Sequence, residues 1–322
     1  MGDWRGKRVL VTGAGGFIGA RLVERLSMAG ATVVSVVRSM ERAVLAELLD
    51  RSIVEIGDVT DFDRMRGIVS QHEIEYVFHL ASCAIVRLSA RDPMTTYRTN
   101  IMGTVAVLEA CRSVGGVRRI VAASSDKAYG DHEDLPYVEG TPLEPRNTYD
   151  TSKACGDMIA RSYAHNYGMD VFVTRCSNVY GPGDRNFSRI IPNTIRRVLE
   201  GKPPMLYSDI EKMEREFIYI DDVVDAYLLL GQVDDAEARD VGQRAFNVGG
   251  GGMIQIGGLS SLICQRMGKE DMRPEIVPRE LSFREIQKQC IDAKLLEVLG
   301  WKRNVSLVEG LDRTIDWYGS LK

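Results

Sequence analysis

The 322-residue chain is 44% apolar and 27% charged, and its 41 basic and 45 acidic side chains leave a formal net charge of −4. A chain of that length buries a large core and is expected to form two lobes; its interspersed charges offer no nucleic-acid face and no membrane surface, so a small-molecule site is expected. The histidines His72, His79, His132 and His165 are too dispersed for a metal site, the cysteines lack C-x-x-C spacing and read as reduced core thiols, and without an apolar signal region or a bilayer-long run the chain is expected to be a cytoplasmic enzyme.

The first half alternates β-branched runs with helical patterns, which predicts a parallel sheet covered on both faces. Arg8 to Thr12 is a predicted strand, followed by a glycine turn and a helix to about Ala29. Thr32 to Val37 and Ser52 to Ile56 are the second and third strands. A helix over Phe62 to Gln71 precedes a fourth strand, Val77 to Leu80. Arg98 to Val114 is a predicted helix, Ile120 to Ala123 a fifth strand, Tyr149 to Tyr167 a long helix, and Val171 to Thr174 a sixth strand. This order predicts an α/β, doubly wound parallel sheet of the Rossmann type, with ligands at the carboxyl ends of the strands.

From Asn178 the rhythm changes, with Gly-Pro-Gly, Pro-Pro and charged loops between short elements, which predicts a smaller lobe. Glu216 to Leu230 and Ala245 to Val248 read as returns to the sheet. Residues 1–177 and 216–248 are therefore assigned to the dinucleotide-binding domain, and 178–215 and 249–322 to an interleaved, C-terminal substrate lobe. Gly249 to Gly252 reads as a mobile turn.

Gly13, Gly16 and Gly19 lie between a strand and its helix, the context in which a glycine pattern marks a dinucleotide site. Missing side chains let the backbone approach a pyrophosphate, and the helix amino end, at Phe17 and Ile18, offers N–H groups and partial positive charge. A purely structural turn is the competing reading. A carboxylate at the end of the second strand selects NAD, but Arg38-Ser39 stands there; Arg38 fits either a clamp on a 2′-phosphate or stacking on adenine, so the cofactor is NAD or NADP. Asp58-Val59 is placed to meet the adenine, and Leu80-Ala81-Ser82 to line the cofactor channel.

Tyr149 and Lys153 are one helical turn apart and share a face. A tyrosine pKa of about 10 falls to about 7 with roughly 4 kcal/mol of preferential stabilisation of the phenolate, and a cation about 4 Å away in a partly shielded site supplies that much. Lys153 is expected to lower Tyr149 and make it a base. An ordinary amphipathic helix with a surface tyrosine and lysine is the alternative.

These features, with Asp58-Val59, His79-Leu-Ala-Ser82, Asn100, Ser124-Ser125, Arg175-Cys-Ser-Asn178 and Arg215 to Asp222, resemble the extended short-chain dehydrogenase/reductase family acting on nucleotide sugars, over nearly the whole chain. In that family the segment after the fifth strand separates 4-epimerases from 4,6-dehydratases. Here it reads Ser124-Ser125-Asp126-Lys127-Ala128-Tyr129-Gly130. Epimerases usually carry small or neutral residues where Asp126 and Lys127 stand, whereas CDP-glucose 4,6-dehydratases carry a similar Ser-Asp-Lys. Trp4 to Val9, and Val86 to Ser89 leading to Asn100, also resemble that branch; Arg215 to Asp222 follows the general nucleotide-sugar pattern and leaves the base unassigned.

The resemblance implies a nucleotide-sugar 4,6-dehydratase acting on an NDP-hexose: oxidation at C4, loss of water across C5–C6, and hydride return to C6. There is no net redox change, so NAD or NADP is expected to be tightly bound and recycled. Tyr149 takes the O4 proton, Ser125 hydrogen-bonds that oxygen, Lys153 holds the cofactor ribose, and protonated Asp126 gives its proton to the departing C6 hydroxyl. Lys127 is either desolvated enough to act as a neutral base or stabilises the enolate while another group moves the proton. A surface salt-bridge role for Asp126 and Lys127 is the alternative. Arg189 and Arg215 are candidates for the diphosphate, with Asn178 and Arg87 as further polar contacts, each of which could instead be a solvated surface group; for Asn247 a turn role competes with a phosphate role. The resemblance also implies a homodimer paired through the Asn100 and Tyr149 helices. The competing functions are an NDP-sugar 4-epimerase, which leaves Asp126 idle, and a non-catalytic dinucleotide-binding regulator.

Overall fold

A computed structural model describes residues 3–233, 243–278 and 285–321. The strands β1 (Arg8–Thr12), β2 (Thr32–Val37), β3 (Ile53–Ile56), β4 (Tyr76–His79), β5 (Arg119–Ala123) and β6 (Val171–Cys176) form with Ala245–Val248 a seven-stranded parallel sheet. The order across it, from Ala245–Val248 to β6, β5, β4, β1, β2 and β3, places a topological switch point between β1 and β4, as expected for the doubly wound fold. Alternation along β1 explains the two-sided burial. Val9 and Val11 enter one core with Phe78, Phe172 and Tyr227, whereas Leu10 enters the other with Val34, Ile68 and Ile120.

Helices α1 (Phe17–Met28) and α2 (Phe62–Gln71) connect the first strands, and Asp61 caps α2 by accepting the Arg64 N–H at 3.0 Å. Two short helices, α3 (Val86–Arg91) and α4 (Pro93–Tyr97), follow β4. The predicted helix from Arg98 is a π-turn over Arg98–Met102 that runs into α5 (Gly103–Val114). At that turn Asn100 Oδ1 accepts the Cys83 N–H at 2.7 Å and Nδ2 donates to Ser152 Oγ at 2.8 Å. Asn100 thereby ties the loop after β4 to the long helix α6 (Thr148–Tyr167), which carries Tyr149 and Lys153.

Past β6 the chain builds a second, smaller layer. Strands β7 (Asn178–Tyr180) and β9 (Glu214–Tyr219) pair in parallel, and Met253–Gln255 and Lys288–Gln289 flank β9 on its other edges. Between β7 and β9 come α7 (Ile190–Leu199) and β8 (Met205–Tyr207), which pairs with Glu275–Val277. Thus Glu214–Tyr219 belongs to the small sheet, while the helix after it, α8 (Ile220–Gln232), and β10 (Ala245–Val248) pack with the main one. The remaining elements are β11 (Met253–Gln255), α9 (Ile256–Arg266), β12 (Glu275–Val277), β13 (Lys288–Gln289), α10 (Lys294–Val298) and α11 (Leu307–Ser320). Among the described residues no helix is long and apolar enough to cross a membrane, and no His, Cys, Asp and Glu cluster could hold a metal.

Candidate active site

A cleft of about 600 Å³ lies over the carboxyl ends of the parallel strands and reaches into the smaller layer. Its floor begins at the glycine turn. Gly13 has φ +70°, and a Cβ there would stand 2.7 Å from the Ala81 amide nitrogen and 2.8 Å from the Leu80 carbonyl carbon. Backbone conformation and close approach across the switch point both demand glycine. Gly16, Phe17, Ile18 and Gly19 continue the wall into α1, whose first amides lack intrahelical acceptors. A cradle of bare backbone and free N–H groups fits a dinucleotide pyrophosphate, so the residues present suit NAD(P).

Arg38, Asp58, Val59, Leu80, Ala81 and Ser82 line the same end. Asp58 accepts the Thr60 N–H and hydroxyl, both at 2.9 Å. Burial acts to raise this carboxyl, but those bonds and the charges of Arg38 and Arg98 hold it below the usual range. Arg38, exposed at the end of β2, therefore faces a carboxylate from the neighbouring strand.

The catalytic candidates converge where β5 ends. Its last residues lead into a short 3₁₀ turn, Asp126–Tyr129, capped by Ser125, whose Oγ accepts the Lys127 N–H at 3.2 Å. Ser125 Oγ in turn donates to Asp126 Oδ1 at 3.0 Å and acts to lower the Tyr149 phenol. Asp126 is buried, and among the described residues its Oδ2 has no partner. Burial pushes its carboxyl up against the opposing pull of Lys127, Ser125 and Arg215. A surface salt bridge is thus not what this aspartate makes. Lys127 is pushed below the ordinary lysine range by burial and then by Arg215, opposed by Asp126, Asp150 and Glu285.

The Tyr149–Lys153 pair departs from the sequence expectation in one respect. Burial pushes the Tyr149 phenol up, reinforced by Asp126 and Asp150; the foremost cation opposing this is Arg189. Lys153 is buried, donates to the Ala123 carbonyl at 2.7 Å, and is itself pushed down to about 8 by burial. Desolvation acts on both members of the pair and outweighs what charge supplies.

At the other end of the cleft lie Arg87, Asn178, Arg189 and Arg215. Arg215 is buried and tethered: Nη1 donates to the Glu214 and Gln287 carbonyls at 2.9 and 3.1 Å, and Nη2 to the Ile286 carbonyl. Arg189 Nη1 donates to Asp184 Oδ2 at 3.0 Å, and Asn178 Nδ2 to the Glu216 carbonyl at 2.9 Å. Arg87 is exposed at the rim. Asn247 is wholly structural: buried in β10, it accepts from Tyr129 Oη at 2.7 Å and donates to the Tyr137 and Asp292 carbonyls. Arg175, from the Arg175-Cys-Ser-Asn178 motif, is buried too and forks onto both oxygens of Asp157 at 2.7 and 3.0 Å.

Three buried groups escape sequence reasoning. Asp150 follows Tyr149 and reads as an ordinary acid in the first turn of a helix, yet it is buried, its Oδ1 is unpartnered among the described residues, and it is pushed up by burial to about 6. Glu216 is pushed by burial to about 7 and accepts the Gly251 and Ile291 N–H groups, pinning the Gly249 to Gly252 turn that reads as mobile. Gln289 bonds Lys127 and Asp126 from another layer. Asp150 lies beside Tyr149 and Glu216 within the Arg215 to Asp222 run, but no local pattern marks the burial of either, and Gln289 stands in no motif.

The parallel sheet, the glycine turn at its switch point, and a cleft holding both that turn and the Tyr149–Lys153 pair define a dinucleotide-binding α/β protein of the short-chain dehydrogenase type. Residues 9–249 match the NAD dependent epimerase/dehydratase family, and the chain belongs to that family, as the sequence resemblance implied. It is 32% identical to a UDP-glucose 4-epimerase of Mycolicibacterium smegmatis over 97% of this chain and 98% of the relative. It is likewise 32% identical to dTDP-glucose 4,6-dehydratase 1 of Escherichia coli, over 97% and 92%. The solved UDP-glucose 4-epimerase of Thermotoga maritima with UDP-glucose superposes with a TM-score of 0.88 at 32% identity, covering 98% of this chain and 100% of that one.

Proposed function

We propose that the protein is an NAD(P)-dependent nucleotide-sugar 4,6-dehydratase that converts an NDP-hexose to an NDP-4-keto-6-deoxyhexose. The observation that carries this reading is Asp126: a buried carboxyl in the cleft, bonded through one oxygen to Ser125, with the other oxygen unpartnered among the described residues. Such a group favours its protonated form and suits a general acid. When bound, NAD(P) supplies hydride chemistry at C4 and C6. Tyr149, as the phenolate that the positive charge of a bound oxidised nicotinamide would favour against burial, takes the O4 proton, with Ser125 holding the same oxygen. The 4-ketone acidifies the C5 proton, which the neutral form of Lys127 accepts, and Asp126 Oδ2 delivers its proton to the C6 hydroxyl as water leaves. Lys153 orients the cofactor ribose, and Arg189 and Arg215 serve the diphosphate, with Asn178 and Arg87 beside them.

A second reading, NDP-sugar 4-epimerase, is favoured by the M. smegmatis and T. maritima relatives, whose identity to this chain matches that of the E. coli dehydratase. It gives Asp126 nothing to do. A regulator without turnover is disfavoured by the presence of both Tyr149 and Lys153. Incubation with UDP-, dTDP-, CDP- and GDP-hexoses, followed by mass spectrometry, separates the two enzymatic readings: loss of one water mass supports the dehydratase, and an isobaric product overturns it.

The cofactor identity turns on Arg38, which suits a 2′-phosphate as well as adenine stacking; titration with NAD and NADP decides it. The assembly is a homodimer. Met94, Met102 and Met158, on α4, the π-turn and α6, are 77%, 55% and 50% exposed, an apolar face on the helices that the resemblance pairs across a two-fold axis. Light scattering tests it, and a monomer at working concentration contradicts it.

A further inference from the structure

We propose that Gln289 is a positioning residue for Lys127, holding its amine beside Asp126 from the opposite layer while supplying no negative charge to keep it protonated. The use made of Lys127 rests on the dehydratase reading; the geometry stands apart from it. Gln289 is completely buried on β13, and both ends of its amide are engaged. Oε1 accepts from Lys127 Nζ at 3.0 Å, and Nε2 donates to the Asp126 carbonyl at 2.9 Å. One side chain thus clamps the backbone of the proposed acid and the amine of the proposed base, fixing one against the other.

The choice of an amide matters electrostatically. Among the described residues, the charged groups that act most strongly on Lys127 are Arg215 from β9, Asp126 from its own turn, Asp150 from α6, and Glu285 from the segment before β13. Carboxylate and guanidinium oppose each other there, so the hydrogen-bond partner of Nζ weighs on the balance. An amide oxygen orients the nitrogen by a dipole alone, whereas a carboxylate in the same place would favour the ammonium by full charge. Gln289 therefore lets burial and Arg215 hold Lys127 ready to accept a proton. Its place on the strand beside Arg215, with Gln289 in register with Arg215 itself, brings the clamp and the opposing cation on adjacent strands.

Two variants test this. Gln289→Glu keeps the volume and adds charge; Gln289→Met keeps most of the volume and removes both polar ends. The ionisation of Lys127 is followed by NMR titration of isotope-labelled lysine side chains, its resonance identified by loss in Lys127→Arg. Water elimination and C4 oxidation are timed separately on the NDP-hexose. In Gln289→Glu the Lys127 midpoint is expected to rise by about one to three pH units, with the pH profile of elimination rising alongside. In Gln289→Met the midpoint does not rise, and elimination slows about ten- to a hundredfold relative to C4 oxidation. An unmoved midpoint in a folded Gln289→Glu protein overturns the proposal, as does wild-type elimination in Gln289→Met. Should no NDP-hexose lose water with the wild-type enzyme, the dehydratase reading fails while the titration still decides the Gln289–Lys127 link.

Discussion

Ser125 Oγ donates to Asp126 Oδ1 at 3.0 Å, and the same hydroxyl acts to lower the Tyr149 phenol. The residue proposed to hold the sugar O4 is thus bonded directly to the residue proposed to serve the C6 oxygen. The Lys127 N–H, donating to that hydroxyl at 3.2 Å, fixes its orientation. Asp126 is left with Oδ2 to carry a proton, in a site where burial favours the neutral carboxyl.

Asp126→Asn keeps the shape and the acceptor for Ser125 while removing the acidic proton. C4 oxidation is expected to persist and water loss to slow by about 10²- to 10⁴-fold, the usual contribution of a positioned acid. Rapid-quench product analysis separates the two steps, and a parallel fall in both contradicts the assignment.

Tyr149→Phe removes the phenol proposed to take the O4 proton. Turnover is expected to fall by about 10²- to 10⁴-fold with cofactor affinity kept, because the glycine cradle lies on a different element. A cofactor-binding titration beside a turnover assay checks this, and near-normal turnover refutes it.

Asp150 yields a stability prediction. Its folded pKa, about 6, lies above the ordinary 3.8, so the folded state binds the proton more tightly than the unfolded chain. Below about pH 4 the group is protonated in both states and contributes no slope; as pH rises to about 6 it makes stability fall, and the loss is complete above that. Asp150→Asn is expected to flatten this part of the melting-temperature profile and to stabilise the fold at neutral pH by roughly 2 to 3 kcal/mol. Glu216, raised to about 7, adds a slope of the same sign and remains in the variant. An identical profile for variant and wild type rules the account out.

Gly13→Ala places a methyl against the Leu80–Ala81 backbone at a positive φ. A loss of about 1 to 3 kcal/mol in stability and of NAD(P) binding is expected, readable by thermal melts with and without cofactor. A variant that binds normally contradicts the proposed cradle.

The main sheet was legible because β-branched runs and helical periods are local signals: β1 and β2 fall where Arg8 to Thr12 and Thr32 to Val37 predict them. Short strands such as β7 and β13 carry no period to read, since they exist through pairing with β9. The same division holds in the cleft. Tyr149 and Lys153 announce themselves by spacing on one helix, whereas Gln289 reaches Lys127 across 162 positions of sequence. Desolvation is equally invisible beforehand: spacing alone suggests a Tyr149 lowered by Lys153, but burial sets the phenol high and the lysine low. Asn247 shows the converse, a residue with a plausible ligand role whose side-chain amide and backbone N–H are taken by the fold.

The most direct test of the central claim follows the hydrogen on C4. An NDP-hexose deuterated at C4, converted by the enzyme and examined by NMR and mass spectrometry, is expected to give a 4-keto product lighter by one water, with the deuterium at C6. An isobaric product that retains deuterium at C4 would contradict the dehydratase account and make the protein an epimerase.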